Sequence, residues 1–461
     1  MNESISPKSH DRQGSDFPPQ ERQETPEEQK KAGTIIESDE VARGEQDGIA
    51  RGYSRLSMVM MVVFSGLAIG SDGFNASIIG NIELLMQVIY PDTLTTAVAS
   101  RLSNAFMVGM IIGMLGFGYI SDKLGRKTGA VLTTTILVLG IALSAGASGV
   151  NEDGMFWMLI VARGIAGVGA GGEYPVAGAG AAEATDEVPG TRKRRGFIFA
   201  MIGDLSASLG FAFGALVPLL LLLCFHQQVR HYEAVWRVSL AMGAIAPLSI
   251  FWFRYRMVVS TAYQKSSMRK QRIPYLLVLK KYWRPLLGSC GSWFMSPPHD
   301  GTGLPATSDP WICPRGSTWP HSNESSALHR PLWNFSDFGE VGPGSTIVLT
   351  ASENFPTAVR GHAVGFAAAW SKAGAAIGTQ VFKPILASWG DDESRGTQAV
   401  FLIGSGFAVL GALLAWFVLQ DSSKVLDHGD QEWKDYLESH GYTNIEWGID
   451  NPPLEPQEKK V

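Results

Sequence analysis

Charge is scarce in this chain and unevenly placed. Asp, Glu, Lys and Arg make up 18% of its 461 residues, against about 25% in soluble domains. The mean hydropathy of +0.07 conceals long uncharged runs, because polar tails dilute it. Cysteine is scarcer still. Cys224, Cys290 and Cys313 suit neither a disulfide framework nor a metal-ligand spacing, and they read as isolated thiols. A formal net charge of −5 gives no electrostatic footprint for nucleic acid. No nucleotide-binding loop, metal cluster or nucleophile triad occurs, so neither an enzyme nor a cofactor is expected. Residues 1–50 lack the apolar core of a secretory signal. Their Glu, Gln, Lys and Pro content reads as a disordered tail over 1–53.

What is abundant is apolar length and glycine, which occurs 52 times. A bilayer core about 30 Å thick needs about 20 apolar helical residues. Residues 102–121, 129–149 and 399–419 are such runs without a charge. Others hold an ionisable residue: 57–82 with Asp72, 155–182 with Arg163 and Glu173, 196–225 with Asp204, 235–253 with Arg237 near its start, and 361–388 with Lys372 and Lys383. Eight spans follow, and an all-α membrane protein. Lys and Arg concentrate in the loops at 122–128, 185–195 and 254–284, whereas 83–97 and 150–154 have none. By the positive-inside rule those basic loops face the cytoplasm, which puts both termini there.

A charge at mid-bilayer costs several kcal/mol, with estimates from about 3 upward. Such residues face a wet cavity or a partner. Asp72, with Asn75 one turn on, and Glu173 fall inside the first and fourth spans. Burial disfavours the ionised form of a carboxyl, so both are candidates to take up and release a proton. Beside Glu173 stand Tyr174, a possible donor to an anion, and Pro175, which should loosen the helix. Glycines 164, 167, 169, 171 and 172 permit close helix approach. Lys372 is a fixed cation near mid-span and suits a phosphate group; snorkelling to the interface is the alternative.

Two stretches look alike: AAEATDEVPGTRKRRGFIFA at 181–200 and TASENFPTAVRGHAVGFAAA at 350–369. Each carries a Glu (Glu183, Glu353), then Pro, then Arg-Gly opening a span, as expected of a transporter built from repeats. GYISDKLGRK at 118–127 resembles the loop between helices two and three of the major facilitator superfamily, and RGIAGVGAG at 163–171 resembles its fourth-helix pattern. GGEYP, GSDGFNASIIG at 70–80, FGEVGPG at 338–344, VRGHAVGFAAAWSKAGAAIGTQVF at 359–382 and DQEWKDYLESHGY at 430–442 resemble the proton-coupled phosphate and glycerophosphodiester (glycerophosphoinositol) permease branch. The resemblance covers about 50–295 and 338–445.

The resemblance implies twelve helices in two bundles of six, and a proton symporter of phosphate or a glycerophosphodiester in the plasma membrane. Its partners would be the bilayer, a small anionic solute and the proton. It implies proton coupling by Asp72 and Glu173 and substrate contacts from Tyr174, Trp293 and Lys372, with Asn75 and Asp204 as further candidates. It gives Asp122, Arg126, Lys127, Arg163, Glu183, Glu353 and Arg360 to a cytoplasmic gate. Where the family has an acid, a Gln and an Asn, this chain has Pro297, Ile202 and Gly344; the last two favour the glycerophosphodiester side.

The second bundle departs from the pattern. Residues 296–336 hold no apolar run, and the second copy of the Gly-x-x-x-Asp loop is missing. Irregular backbone cannot face lipid, so most of helix seven, all of eight and nine and the front of ten are expected to be absent. Either an aberrant coding sequence or a true insertion with deletion would produce this. The expected plan is a first six-helix bundle over 54–255, a basic cytoplasmic loop over 256–285, and partial helix seven with a non-spanning segment over 286–343. A remnant second bundle over 344–420 and a cytoplasmic tail over 421–461 follow. Three outcomes stay open: a proton-coupled phosphate-ester carrier, a truncated membrane protein that does not transport, and a sugar-type carrier. Asn323 and Asn334 begin glycosylation patterns, unused if cytoplasmic.

Overall fold

The computed structural model describes residues 55–187, 195–200, 203, 205–256, 273–295, 345–389, 393–419 and 429–442. Asp204, Asn323, Asn334, Pro297, Ile202, Gly344 and the expected tail and non-spanning segment at 1–53 and 296–343 lie outside them. No strand occurs among the described residues. In order, the helices are α1 (Arg55–Ile89), α2 (Thr96–Lys123), α3 (Arg126–Ala145), α4 (Glu152–Glu187), α5 (Arg195–Ala200), α6 (Ser206–Cys224), α7 (Tyr232–Met242) and α8 (Ile245–Arg256). They continue with α9 (Tyr275–Met295), α10 (Ser345–Glu353), α11 (Arg360–Ser388), α12 (Glu393–Val418) and α13 (Gly429–Glu438).

Local chemistry sets the boundaries. Thr95 caps α2, its hydroxyl accepting from the Val98 amide at 3.4 Å, as an N-cap side chain does. The α2–α3 turn passes through Gly125 at φ 118°, a backbone region that L side chains rarely adopt, so the DKLGRK loop can reverse in a few residues. Pro285 lies inside α9, and Tyr282 departs from helical geometry at φ −107°, ψ 18°. The pyrrolidine ring removes a hydrogen bond and crowds the preceding turn, which accounts for the kink.

Glycine lets α4 sit against two neighbours at backbone distance. A Cβ on Gly167 or Gly171 would fall 2.2 Å from the Phe106 carbonyl oxygen or 2.1 Å from that of Met110, both on α2. On the α3 side, a Cβ on Gly169 would fall 2.4 Å from the Leu137 nitrogen. α1 is interlocked with α6 in the same way at Gly70 and Gly210. The expected glycine packing is therefore what this face of α4 does.

Six described helical segments are long and apolar enough to cross a membrane: 96–123, 126–145, 152–182, 206–224, 229–255 and 398–418. Two further helices expected to span, α1 and α11, have 35 and 29 residues. The expected span at 235–253 is two helices, α7 and α8, separated at Gly243 and Ala244. The basic loop expected up to residue 285 is shorter, because α9 begins at Tyr275. Its charged first turns are held by packing: Tyr282 is buried with Phe355, Val359 and the Trp433 and Leu437 side chains of α13.

The surface is apolar and the interior holds the charges. Leu209, Phe213, Leu219 and Leu223 of α6 are exposed, as are Leu402, Val409 and Trp416 of α12, whereas Asp72, Arg163, Glu173 and Lys372 are buried. This inverts the soluble pattern and is the arrangement a bilayer imposes. In the second half α11 packs on α9 and α12, and it also packs on α2 and α4 of the first half.

Candidate functional site

Two clusters of polar side chains occur where the halves meet. The first closes one end of the bundle. Asp122, in the last turn of α2, is buried and accepts from Arg126 Nη1 at 2.6 Å. Its oxygens also accept the Gly361 and His362 amides at 3.1 and 2.8 Å and meet His362 Nδ1 at 2.5 Å. Those amides belong to the first turn of α11, whose N–H groups have no intrahelical acceptor and carry the positive end of the helix dipole. A carboxylate is the complementary group. Arg126 also donates to Ser121 Oγ at 2.7 Å, and His362 Nε2 lies 3.1 Å from the Tyr275 hydroxyl. The DKLGRK loop thus fastens one half to the other. Gly118 and Gly365 make this possible: a Cβ on Gly365 would sit 2.3 Å from the Met114 carbonyl oxygen.

Of the expected gate residues, Asp122 and Arg126 belong here; Arg360 opens α11 one residue before Gly361 and is buried. Lys127 does not join them, as its Nζ lies over the Tyr255 ring at 5.6 Å. Arg163 is also elsewhere. It is in the body of α4, where Nη2 donates to the Asn75 carbonyl at 2.7 Å and the guanidinium lies 4.2 Å from the Phe106 ring centroid. α4 enters the bundle at Glu152, at the opposite end from Asp122, so position 163 is still mid-helix. Glu353 ends α10. Glu183 is within α4, with its side chain outside the described set. The sequence motifs assign no role to His362 or Tyr275, which join the cluster through His362 Nδ1 and Nε2.

The second cluster is internal. Asp72 of α1 is 1% exposed, and neither carboxylate oxygen has a hydrogen-bond partner among the described residues. It lies within electrostatic reach of Glu173, Arg254 and Lys372. Glu173 of α4, also 1% exposed, is fully engaged. Arg254 of α8 forks onto both its oxygens, with Nη2 at 2.5 Å from Oε2 and Nη1 on Oε1. Thr133 Oγ1 donates to Oε1 at 2.8 Å. Arg254 Nη1 also reaches Thr134 Oγ1 at 2.5 Å. The sequence places Arg254 in the basic loop; instead it lies in the last turn of α8 and turns inward.

Lys372 of α11 is buried, and its Nζ lies over the Tyr174 ring at 5.8 Å, across the boundary between halves. Tyr174 and Trp293 both pack against the cluster of Phe106, Met110, Met114 and Ala368. Asn75 is buried, its amide donating to the Ser71 carbonyl at 2.9 Å and lying 3.5 Å from that of Gly243. The bundle therefore gathers Asp72, Glu173, Tyr174, Trp293 and Lys372 around one region. α4 is helical straight through Pro175, which leaves the Gly171 carbonyl without its usual amide donor.

An inside-out helical assembly in which two halves meet around buried acids and bases defines an integral, multi-pass membrane transporter. Residues 58–271 match the family model described as sugar (and other) transporter. The chain is 30% identical to glycerophosphoinositol permease 1 of Candida albicans, covering 85% of this chain and 84% of that protein. It is 29% identical to glycerophosphoinositol transporter 1 of Saccharomyces cerevisiae, covering 84% and 83%. A solved structure of a double-tryptophan mutant of XylE superposes with a TM-score of 0.62 at 15% identity, covering 83% of this chain and all of that one; this supports the fold alone. The chain belongs to the major facilitator superfamily, with the glycerophosphoinositol permeases, and is a secondary active transporter.

Proposed function

We propose that the protein is a proton-driven symporter of a small phosphate-bearing anion, and of a glycerophosphodiester before inorganic phosphate. The observation that carries the reading is the buried Lys372 facing Tyr174 across the two halves, within reach of Asp72. Lys372 serves as the countercharge for the anion, with Tyr174 as a donor and Trp293 as part of the wall. Asp72 carries the coupling proton. Glu173 shares the site, and its pairing with Arg254 favours Asp72 for that role.

Charge balance supports the diester. Asp72, Glu173, Arg254 and Lys372 sum to zero when all are ionised. Protonation of Asp72 leaves one net positive charge, which one phosphodiester anion neutralises. A phosphate monoester carries about −1.5 to −2 at pH 7 and would leave an excess. The names of the relatives point the same way: glycerophosphoinositol for the two above, and inorganic phosphate for a Toxoplasma gondii transporter that is 27% identical over 50% of this chain and 40% of its own length. Alternating access follows from rocking one half against the other. The Asp122 cluster corresponds to closure at the end bearing the basic loops, which we assign to the cytoplasm together with both termini, in the plasma membrane.

Uptake of labelled glycerophosphoinositol into proteoliposomes with an inward proton gradient tests this. Lys372→Ala removes a charged contact worth about 1.5–3 kcal/mol, so uptake should fall about 10- to 150-fold. Undiminished uptake would remove Lys372 from the site. A second reading, a membrane protein that keeps the fold without transporting, is favoured by the small number of second-half helices among the described residues: α9, α10, α11 and α12. Absence of uptake by the unmodified chain would support it.

A further inference from the structure

Arg254 is the one charged member of the described internal cluster with no counterpart among the expected site residues, and its geometry is specific. It is 8% exposed, it forks onto both oxygens of Glu173, and its Nη1 reaches Thr134 Oγ1 and the Ala130 carbonyl at 3.3 Å. Three helices, α3, α4 and α8, therefore converge on one carboxylate. A planar fork on a carboxylate fixes orientation as well as charge. Asp72 of α1, which interacts electrostatically with Glu173, has no such partner among the described residues. Among the described residues, the charged and titratable groups shown around the Asp72–Glu173 pair are Arg254 from α8, Lys372 from α11 and Tyr174 on the helix of Glu173. The parts of α2 and α3 beside it, residues 102–121 and 129–145, carry no charge.

We infer that Arg254 is a positioning residue that holds Glu173 as a fixed charge, leaving Asp72, of the two described acids of this site, as the one that takes up and releases the coupling proton. Transport then moves one proton per cycle through Asp72, with Glu173 balancing Arg254 in both the loaded and the empty carrier. Removing the guanidinium converts Glu173 into a second acid that must be protonated for the buried site to be stable. The inference rests on the symport reading above, and the experiment is arranged so that the two can fail separately.

Uptake of labelled glycerophosphoinositol would be measured between pH 4.5 and 8 in proteoliposomes holding the unmodified chain, Arg254→Gln, Arg254→Lys or the double variant Glu173→Gln with Arg254→Gln. On the alkaline limb, one-proton coupling makes the rate fall about tenfold per pH unit and two-proton coupling about a hundredfold. The unmodified chain and the double variant should follow the first slope. Arg254→Gln should follow the second, and Arg254→Lys, which keeps the charge, should return toward the first. A two-proton slope in the unmodified chain, or a one-proton slope in Arg254→Gln, would overturn the inference. If the unmodified chain takes up nothing, the symport reading falls, and thermal unfolding of the purified full chains decides the role of Arg254. Arg254→Gln should melt lower than the unmodified chain at pH 7.5, because it leaves the Glu173 carboxylate without its fork. The double variant should track the unmodified chain. An Arg254→Gln protein indistinguishable from the unmodified chain at pH 7.5 would overturn it by that route.

Discussion

Gly365→Ala is a one-carbon change at the closest of the described glycine contacts between the two halves. The added Cβ would stand 2.3 Å from the Met114 carbonyl oxygen, where ordinary contact begins near 3.4 Å, so α2 and α11 must separate by about 1.1 Å. Overpacking of this kind costs about 1–3 kcal/mol. The same displacement would stretch the His362 amide bond to Asp122 from 2.8 Å to about 3.9 Å, beyond hydrogen-bonding range. Only the arrangement in which these helices touch is penalised, so a bias of about 1–3 kcal/mol shifts the closed-to-open ratio about 5- to 150-fold. Spin labels on cysteines introduced at Thr128 and Gln431, both exposed, would report it after Cys224, Cys290 and Cys313 are replaced by serine. A second, longer distance should appear in Gly365→Ala and grow at the expense of the first. An unchanged distance distribution in a folded variant would refute the idea that this contact is the closure.

Two further perturbations probe other parts of the assembly. Asp72→Asn mimics the protonated acid permanently; accumulation of substrate above the outside concentration should disappear while exchange of internal for external substrate persists, and retained proton-driven accumulation would exclude Asp72 as the carrier. Asp430→Ala removes the acceptor of both the Thr357 amide and its hydroxyl, each at 2.8 Å. At about 1.5–3 kcal/mol for a charged hydrogen bond, hydrogen exchange across Trp433–Glu438 should accelerate about 10- to 150-fold, and unchanged protection would show that α13 docks without it.

The spans were legible because a bilayer sets a length that few soluble helices reach, and the acids inside them because charge in such a run is rare. Arg254 was not legible. A base at the end of an apolar run reads as the first residue of a basic loop, and its burial depends on a partner 81 positions earlier in the chain. Nor was the start of α9, where KKYWR suggests a solvated loop until the aromatic contacts of Tyr282 with Trp433 and Phe355 supply the burial. Asp122 was recognised by its motif, but its acceptance of two α11 amides spans 239 and 240 positions, a pairing no local pattern encodes. Lys127 and Arg163 were grouped with the gate by motif, and their helical positions turn them toward Tyr255 and Asn75 instead.

The grip of Asp122 on α11 has a genetic corollary. Two of its bonds end on peptide nitrogens of Gly361 and His362, which nearly any amino acid supplies. Exchanges at position 362 that keep an N–H would retain that part of the latch, while proline there would abolish one bond outright. A screen for carriers stuck in one orientation should therefore recover proline at 362 and changes at Asp122 itself more often than ordinary replacements of the histidine.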